Sequence, residues 1–173
     1  MPDPISDPIS DPKTSDPETS DPETSRPGIP AARDPHGAVA RAGNLPVAIP
    51  FIESLGAHLR EMADGRAVAT MTPRPEHMNS WAVVHGGVLM TMLDFVMAMA
   101  GRSARTDLGS ESGGNLTVEM KTSFIRPARG GLTVKAQCLH AGRSLSFCEG
   151  EILDAEQRIV ARASGTFKFW KNL

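Results

Sequence analysis

The sequence predicts an α+β domain in which a strongly curved antiparallel sheet wraps one long buried helix. Three observations predict it. The run from Gly86 to Ser103 or Arg105 is apolar nearly all round, as a helix buried on most sides must be. Four strand-like runs follow it, separated by turn residues at the spacing of an antiparallel meander. Two further strand-like runs precede it, and a single sheet curved around the helix is the natural way to bury all its faces.

Residues 1–45 stand apart from this plan. Residues 2–25 repeat as PDPIS, DPIS, DPKTS, DPETS and DPETS, and each unit carries Asp-Pro. Proline removes a backbone donor and disfavours helix at the residue before it. Only Ile5 and Ile9 could join a core, so the repeat is expected to be an acidic, extended, disordered tail. Pro27, Gly28, Pro30, Pro35 and Gly43 continue it as a loose linker, and the folded domain is placed at residues 46–173.

Within the domain, Phe51-Ile52-Glu53-Ser54-Leu55-Gly56 suggests a short helix or turn. A strand around His58–Met62, the Asp64-Gly65 turn signal and the alternation of Arg66–Met71 predict a hairpin, which Pro73 and Pro75 end. A loop through Asn79 leads to Trp81-Ala82-Val83-Val84-His85 and the helix. The later strands are expected at Leu116–Phe124, Leu132–His140, Leu145–Asp154 and Ile159–Phe169. A sheet of this kind leaves edges exposed, and pairing between subunits would cover them.

Charge excludes some partners. Of the chain's 18 basic and 20 acidic side chains, four and eight fall in residues 1–44, which leaves 14 and 12 for the rest. That balance offers no nucleic-acid stripe, although it suits an anionic ligand such as a coenzyme phosphate. The apolar stretch from Val88 to Ala100 is shorter than the ~20 residues of a membrane span and carries Asp94 at its middle. Neither a basic n-region nor an apolar h-region opens the chain, so a cytoplasmic, non-membrane protein is expected.

Cys138 and Cys148 have no metal-ligand spacing, nor have His36, His58, His77 and His140. With Gly142-Arg143 as the turn, Cys138 would lie opposite Phe147 and Cys148 opposite Gln137. The two thiols would then point to opposite faces of the sheet, and no disulfide is expected.

The chemistry concentrates around the helix. Asp94 is the only ionisable side chain from Gly86 through Ala100. Burying an unpaired carboxylate costs several kcal/mol, roughly, so such a charge either faces solvent or serves a site. His85-Gly86-Gly87 opens the helix, where the first N–H groups lack intrahelical partners and carry partial positive charge. With no side chain in the way, a carbonyl oxygen could reach those donors, as in an oxyanion site. A glycine pair that merely allows tight packing would look the same.

Spacing links the two features. Eight residues of helix at 1.5 Å each put Asp94 ~12 Å from Gly86, whereas reacting groups must approach within ~3–3.5 Å. If both serve one substrate, Gly86 comes from one subunit and Asp94 from its neighbour.

Asn79, then His85-Gly86-Gly87, then Asp94 on the following helix resemble the hotdog-fold acyl-CoA thioesterases of the phenylacetate-pathway (PaaI-like) group. The resemblance extends through Leu116-Thr117-Val118-Glu119-Met120, Phe124, Arg126-Pro127-Ala128 and Gly142-Arg143-Ser144, over roughly residues 50–170. It implies hydrolysis of acyl-CoA to acid and CoA without metal or organic cofactor, by homodimers that pair into tetramers. Asp94 is implied as nucleophile or general base. The Gly86 amide would polarise the thioester carbonyl, Asn79 would position the water or the thioester, and His85 would organise the loop. Thr117 stands where a hydroxyl holds the water. Gly87, Arg126, Arg129, Arg143 and Ser144 are candidates for binding the substrate, the arginines and Ser144 at the coenzyme's phosphates and pantetheine arm.

The acyl pocket is expected to use Met, Leu, Val and Phe, with Met90, Met92, Met97 and Met99 either lining it or filling the core. Two other functions fit the same fold: a non-catalytic acyl-CoA-binding module, and an enoyl-CoA hydratase or dehydratase with His85 as base.

Overall fold

The computed structural model describes residues 49–105 and 114–170. The Asp-Pro repeat and the boundary placed at residue 46 lie outside the described residues. A short helix α1 (Pro50–Ser54) leads into strands β1 (Ala57–Ala63) and β2 (Arg66–Met71), a 3₁₀ turn at Pro75–His77 and the long helix α2 (Gly86–Ser103). Strands β3 (Asn115–Phe124), β4 (Leu132–Ala141), β5 (Leu145–Leu153) and β6 (Ile159–Phe169) follow.

The hairpin forms where its turn signal stands. Ala63 pairs with Arg66 across Asp64-Gly65, and both turn residues have positive φ (47° and 76°). That is the mirror-image turn whose twist matches the flanking strands. Helix α2 packs against all six strands, and Met92, Leu93, Val96, Met97 and Ala100 are fully buried. Removing a side chain such as Leu93 would cost about 2–5 kcal/mol, which is why this helix needs no amphipathic face of its own.

One expectation fails. The four later strands are not a simple meander, because the sheet order is β1-β2-β4-β5-β6-β3. Strand β3 pairs with β6 at the far edge, and β4 pairs with β2. The helix places β3 at that edge, because α2 runs alongside it, with Gly86 beside Phe124 at one end and the Ala98 carbonyl accepting from Asn115 at the other. The place beside β2 is left for β4, and residues 125–131 cross over to reach it. Ladder irregularities in β1, β3 and β4 and between β5 and β6 bend the strands and raise their twist. The sheet therefore curves around α2.

The cysteine register also differs from expectation. Cys138 pairs directly with Cys148. The turn is two residues longer than Gly142-Arg143, because Ala141 pairs with Ser146 and the Gly142 N–H donates to the Leu145 carbonyl. That change alone keeps the cysteines on opposite faces. A bulge between Cys138 and His140 then shifts the register by one residue and brings both thiols to the helix-facing side.

Candidate functional site

The loop before α2 is built by Asn79 and His85. The Asn79 N–H donates to the Val83 carbonyl at 2.8 Å, while the Asn79 Oδ1 accepts the N–H groups of Trp81 (2.9 Å) and Val83 (3.4 Å). Ala82 takes the left-handed φ of 53° needed to close so tight a loop. The side-chain carbonyl of Asn79 is thus spent on the loop, and its NH₂ is the group left for a ligand. Buried His77 ties this loop together. Its Nδ1 accepts the Arg74 N–H at 3.0 Å, and its carbonyl accepts the His85 N–H at 2.8 Å.

His85 is the N-cap of α2, and its Nδ1 accepts the Gly87 N–H at 2.9 Å. An Nδ1 that accepts carries no proton, so the neutral ring holds its proton on Nε2. Asymmetry between the two glycines follows. The Gly87 amide is occupied by His85, whereas among the described residues the Gly86 N–H has no acceptor. Only Gly86 presents an open donor at the helix start.

Gly86 and Asn79 line one cavity of about 340 Å³ with Val83, Leu89, Phe124 and Arg126. The Arg126 guanidinium is fixed there by a 2.7 Å hydrogen bond from Nη1 to the Ile159 carbonyl. The Val84 N–H donates to the Ala128 carbonyl at 3.0 Å, tying the loop before α2 to the loop after β3.

Asp94 lies in a different cavity, of about 450 Å³. Met90, Thr91, Asp94, Phe95, Ala98 and Met99 line it, a stripe at i, i+4 and i+8 on one helix face. Ile49, Phe51, Ile52, Asn115 and Met120 close it from α1 and β3. The Thr117 hydroxyl, on the edge strand, donates to Asp94 Oδ1 at 2.6 Å. The carboxylate is half-buried, has one oriented oxygen, and faces a mostly apolar space.

The remaining candidates fall elsewhere. Arg129 is exposed in the β3–β4 connection, and Arg143 and Ser144 are exposed in the β4–β5 turn. None of the three lines either cavity. The Arg143 carbonyl accepts from Arg105 at 3.2 Å and the Ser144 carbonyl accepts the Phe169 N–H at 2.9 Å. That turn sits at the C-terminal end of α2, the opposite end from Gly86. Of the four candidate methionines, Met90 and Met99 line the Asp94 cavity, while Met92 and Met97 are core. Ile49, Phe51 and Ile52 went unassigned to the pocket, since nothing in their local pattern ties α1 to the face of a helix forty residues on.

A curved six-stranded antiparallel sheet wrapped around one long helix, with a carboxylate mid-helix and an open amide at its start, defines a hotdog-fold protein. Residues 82–161 match the family model described as Thioesterase superfamily. The acyl-coenzyme A thioesterase PaaI of Escherichia coli is 30% identical over 115 residues, spanning 65% of this chain and 77% of that protein. Its solved structure superposes with a TM-score of 0.63 over 70% of this chain and 85% of that one. A Mycobacterium tuberculosis relative with a provisional esterase name, Rv1847, is 33% identical over 68% of this chain and 84% of its own length. The conserved protein PA5202 of Pseudomonas aeruginosa superposes with a TM-score of 0.66 at 28% identity, over 72% of this chain and 97% of that one. The chain belongs to the thioesterase superfamily, as a PaaI-like member, and is by that membership a thioesterase. No helix among the described residues is long and apolar enough to cross a membrane.

Proposed function

We propose that the protein hydrolyses acyl-CoA thioesters to the free acid and CoA, in a site completed by two copies of the chain. One observation carries this reading. Asp94 and the open Gly86 amide stand on one helix but in separate cavities, ~12 Å apart along the axis. Neither cavity alone holds both a carboxylate and an oxyanion donor. The edge of the sheet supports the same reading. Strand β3 is exposed along most of its length and presents Leu116, Val118 and Phe124, with Ile125 just beyond it. An exposed edge strand of ten residues invites pairing with a second copy, and Thr117, which holds Asp94, lies on it.

In the shared site the thioester carbonyl accepts from the Gly86 N–H of one copy, and Asp94 of the other faces the carbonyl carbon. The carboxylate either takes a proton from water as that water attacks, or attacks directly and is regenerated by water. Negative charge developing on the oxygen is met by Gly86 and the start of α2. Collapse expels the CoA thiolate, which takes up the proton. The Thr117 hydroxyl keeps one Asp94 oxygen occupied and so aims the other. The acyl group enters the apolar space around Met90, Phe95, Met99 and Met120, and Arg126 lies beside Gly86 where coenzyme phosphates could follow. Arg129, Arg143 and Ser144 would reach the coenzyme only from a neighbouring copy. No cofactor is required, and dimers pair into tetramers.

The hydratase reading needs His85 as base, yet its Nδ1 is committed to the Gly87 amide. Incubating the protein with a panel of acyl-CoAs and a thiol-detecting reagent tests the proposal. Release of thiol in step with acid supports it. Saturable binding without thiol from any substrate would sink it in favour of a binding module, and an enoyl-CoA absorbance change without thiol would favour the hydratase.

A further inference from the structure

We propose that Cys138 and Cys148 form a redox-modification site, a dithiol that closes reversibly into a cross-strand disulfide when a peroxide reaches it. Three features of the fold carry this. The cysteines are direct partners on adjacent antiparallel strands, on the same face of the sheet. The Cys138 N–H donates to the Gly65 carbonyl on the β2 side at 2.6 Å, so it points away from β5. The pair is therefore of the non-hydrogen-bonded type, with Cα atoms about 4.5 Å apart, inside the roughly 4.4–6.8 Å that disulfides span. Both thiols are free, and they differ in access: Cys138 is half-buried, whereas Cys148 is 2% exposed.

That difference assigns the roles. A hydrogen bond with the Cys148 thiol, helped by the backbone N–H groups of His140 and Phe147, lowers the Cys138 pKa to about 7. The same hydrogen bond and burial push the Cys148 thiol far up. Cys138 is the thiolate that meets the oxidant, and Cys148 is the resolving thiol.

The Cys138 sulfur attacks one peroxide oxygen. An S–O bond forms, the O–O bond breaks, and hydroxide leaves as water after taking a proton. Cys138 is now a sulfenic acid, oxidised by two electrons. The Cys148 sulfur then attacks it, forming S–S and breaking S–O, and the departing hydroxide takes the Cys148 proton as a second water. Two thiols and one peroxide give one disulfide and two waters. Because the register already matches, the closure needs no strand shift. Cys148 Sγ packs beside Gly101 of α2, so the bond forms beneath the C-terminal turns of the helix.

Titrating the reduced full-length protein with hydrogen peroxide, then measuring intact mass and alkylatable thiols, tests the inference. The expected result is loss of two hydrogen masses, disappearance of both thiols together, a linked peptide containing Cys138 and Cys148, and full reversal by dithiothreitol. In Cys148→Ser, Cys138 should instead gain one oxygen that a sulfenic-acid probe traps. Accumulation of two or three oxygens on Cys138 in the wild type while Cys148 stays alkylatable would overturn the proposal. So would a Cys138-linked dimer on a non-reducing gel, or no change in either thiol.

Discussion

Thr117 on the edge strand donates a 2.6 Å hydrogen bond to Asp94 on the central helix, joining the sheet's outermost strand to the one carboxylate of the helix's apolar run. This bond fixes which carboxylate oxygen faces the cavity. Asp94→Asn keeps size and a hydrogen-bonding oxygen but removes the base, so kcat should fall by about 10²–10⁴ while acyl-CoA binding persists. Thr117→Val should lower kcat by about 10- to 100-fold, the worth of one charged hydrogen bond, and Thr117→Ser should restore it. Steady-state kinetics on the best acyl-CoA check all three, and near-wild-type turnover in Asp94→Asn would refute its role.

Complementation tests the shared site. Gly86→Pro removes the open N–H, and proline is tolerated at the first helical position. His85 already has the extended ψ of 136° that a residue before proline requires. Each of Asp94→Asn and Gly86→Pro should be inactive alone. Mixed at equal amounts under subunit exchange, half of the dimers are mixed and each holds one complete site, so activity should return to about a quarter of wild type. If one chain supplied both groups to its own substrate, mixing would restore nothing.

Composition alone bears on the repeat tail. With Asp-Pro in every unit and only Ile5 and Ile9 as large apolar residues among positions 2–25, it lacks the surface to join a core. Removing residues 2–40 should leave kcat/KM and the thermal midpoint unchanged. A fall in either would assign the tail a contact with the domain.

The helix and the β1–β2 hairpin were legible because their signals are local. A turn of Asp64-Gly65 and an apolar run bounded by His85-Gly86-Gly87 need no distant information. Strand order was not legible, because whether β3 or β4 sits beside β2 is decided by long-range pairing that no local signal announces. The Cys138–Cys148 pairing was hidden for a sharper reason. A one-residue bulge at Leu139 puts both thiols on one face, and nothing in Gln137–Ala141 announces a bulge. At the site, spacing separated Asp94 from Gly86 correctly. The capture of the Gly87 amide by His85 depended on a rotamer that spacing cannot supply.

Packing at the C-terminal end of α2 gives a prediction that opposes helix propensity. A Cβ at Gly101 would lie 2.6 Å from Ser146 Oγ, 3.1 Å from Asn115 Nδ2 and 3.3 Å from Cys148 Sγ. Alanine favours a helix by about 1 kcal/mol over glycine, but overpacking costs about 1–3 kcal/mol, and here the neighbours stand on several sides. Gly101→Ala should therefore lower stability in urea unfolding. Among the described residues Ser146 Oγ is buried without a hydrogen-bond partner, so Ser146→Ala should be near neutral and should recover much of the loss in the double variant. A stabilised Gly101→Ala protein would show that the helix can shift away from β5.

Thiol reactivity should follow the cross-strand hydrogen bond. The thiolate is the nucleophile, and the Cys138 pKa is lowered to about 7 by the Cys148 thiol first, against the opposing effect of burial, and then by the N–H groups of His140 and Phe147. Iodoacetamide labelling of Cys138 should therefore rise with pH through a midpoint near 7 and level off above it, because protonation below that pH removes the thiolate. Cys148→Ala deletes the donor that stabilises the anion, so the midpoint should move up toward the ordinary thiol value and labelling at pH 7 should slow. Peptide mass spectrometry after timed labelling reads both. An unchanged midpoint in Cys148→Ala would mean that the backbone N–H groups alone hold the thiolate, and that Cys148 contributes only its sulfur to the disulfide.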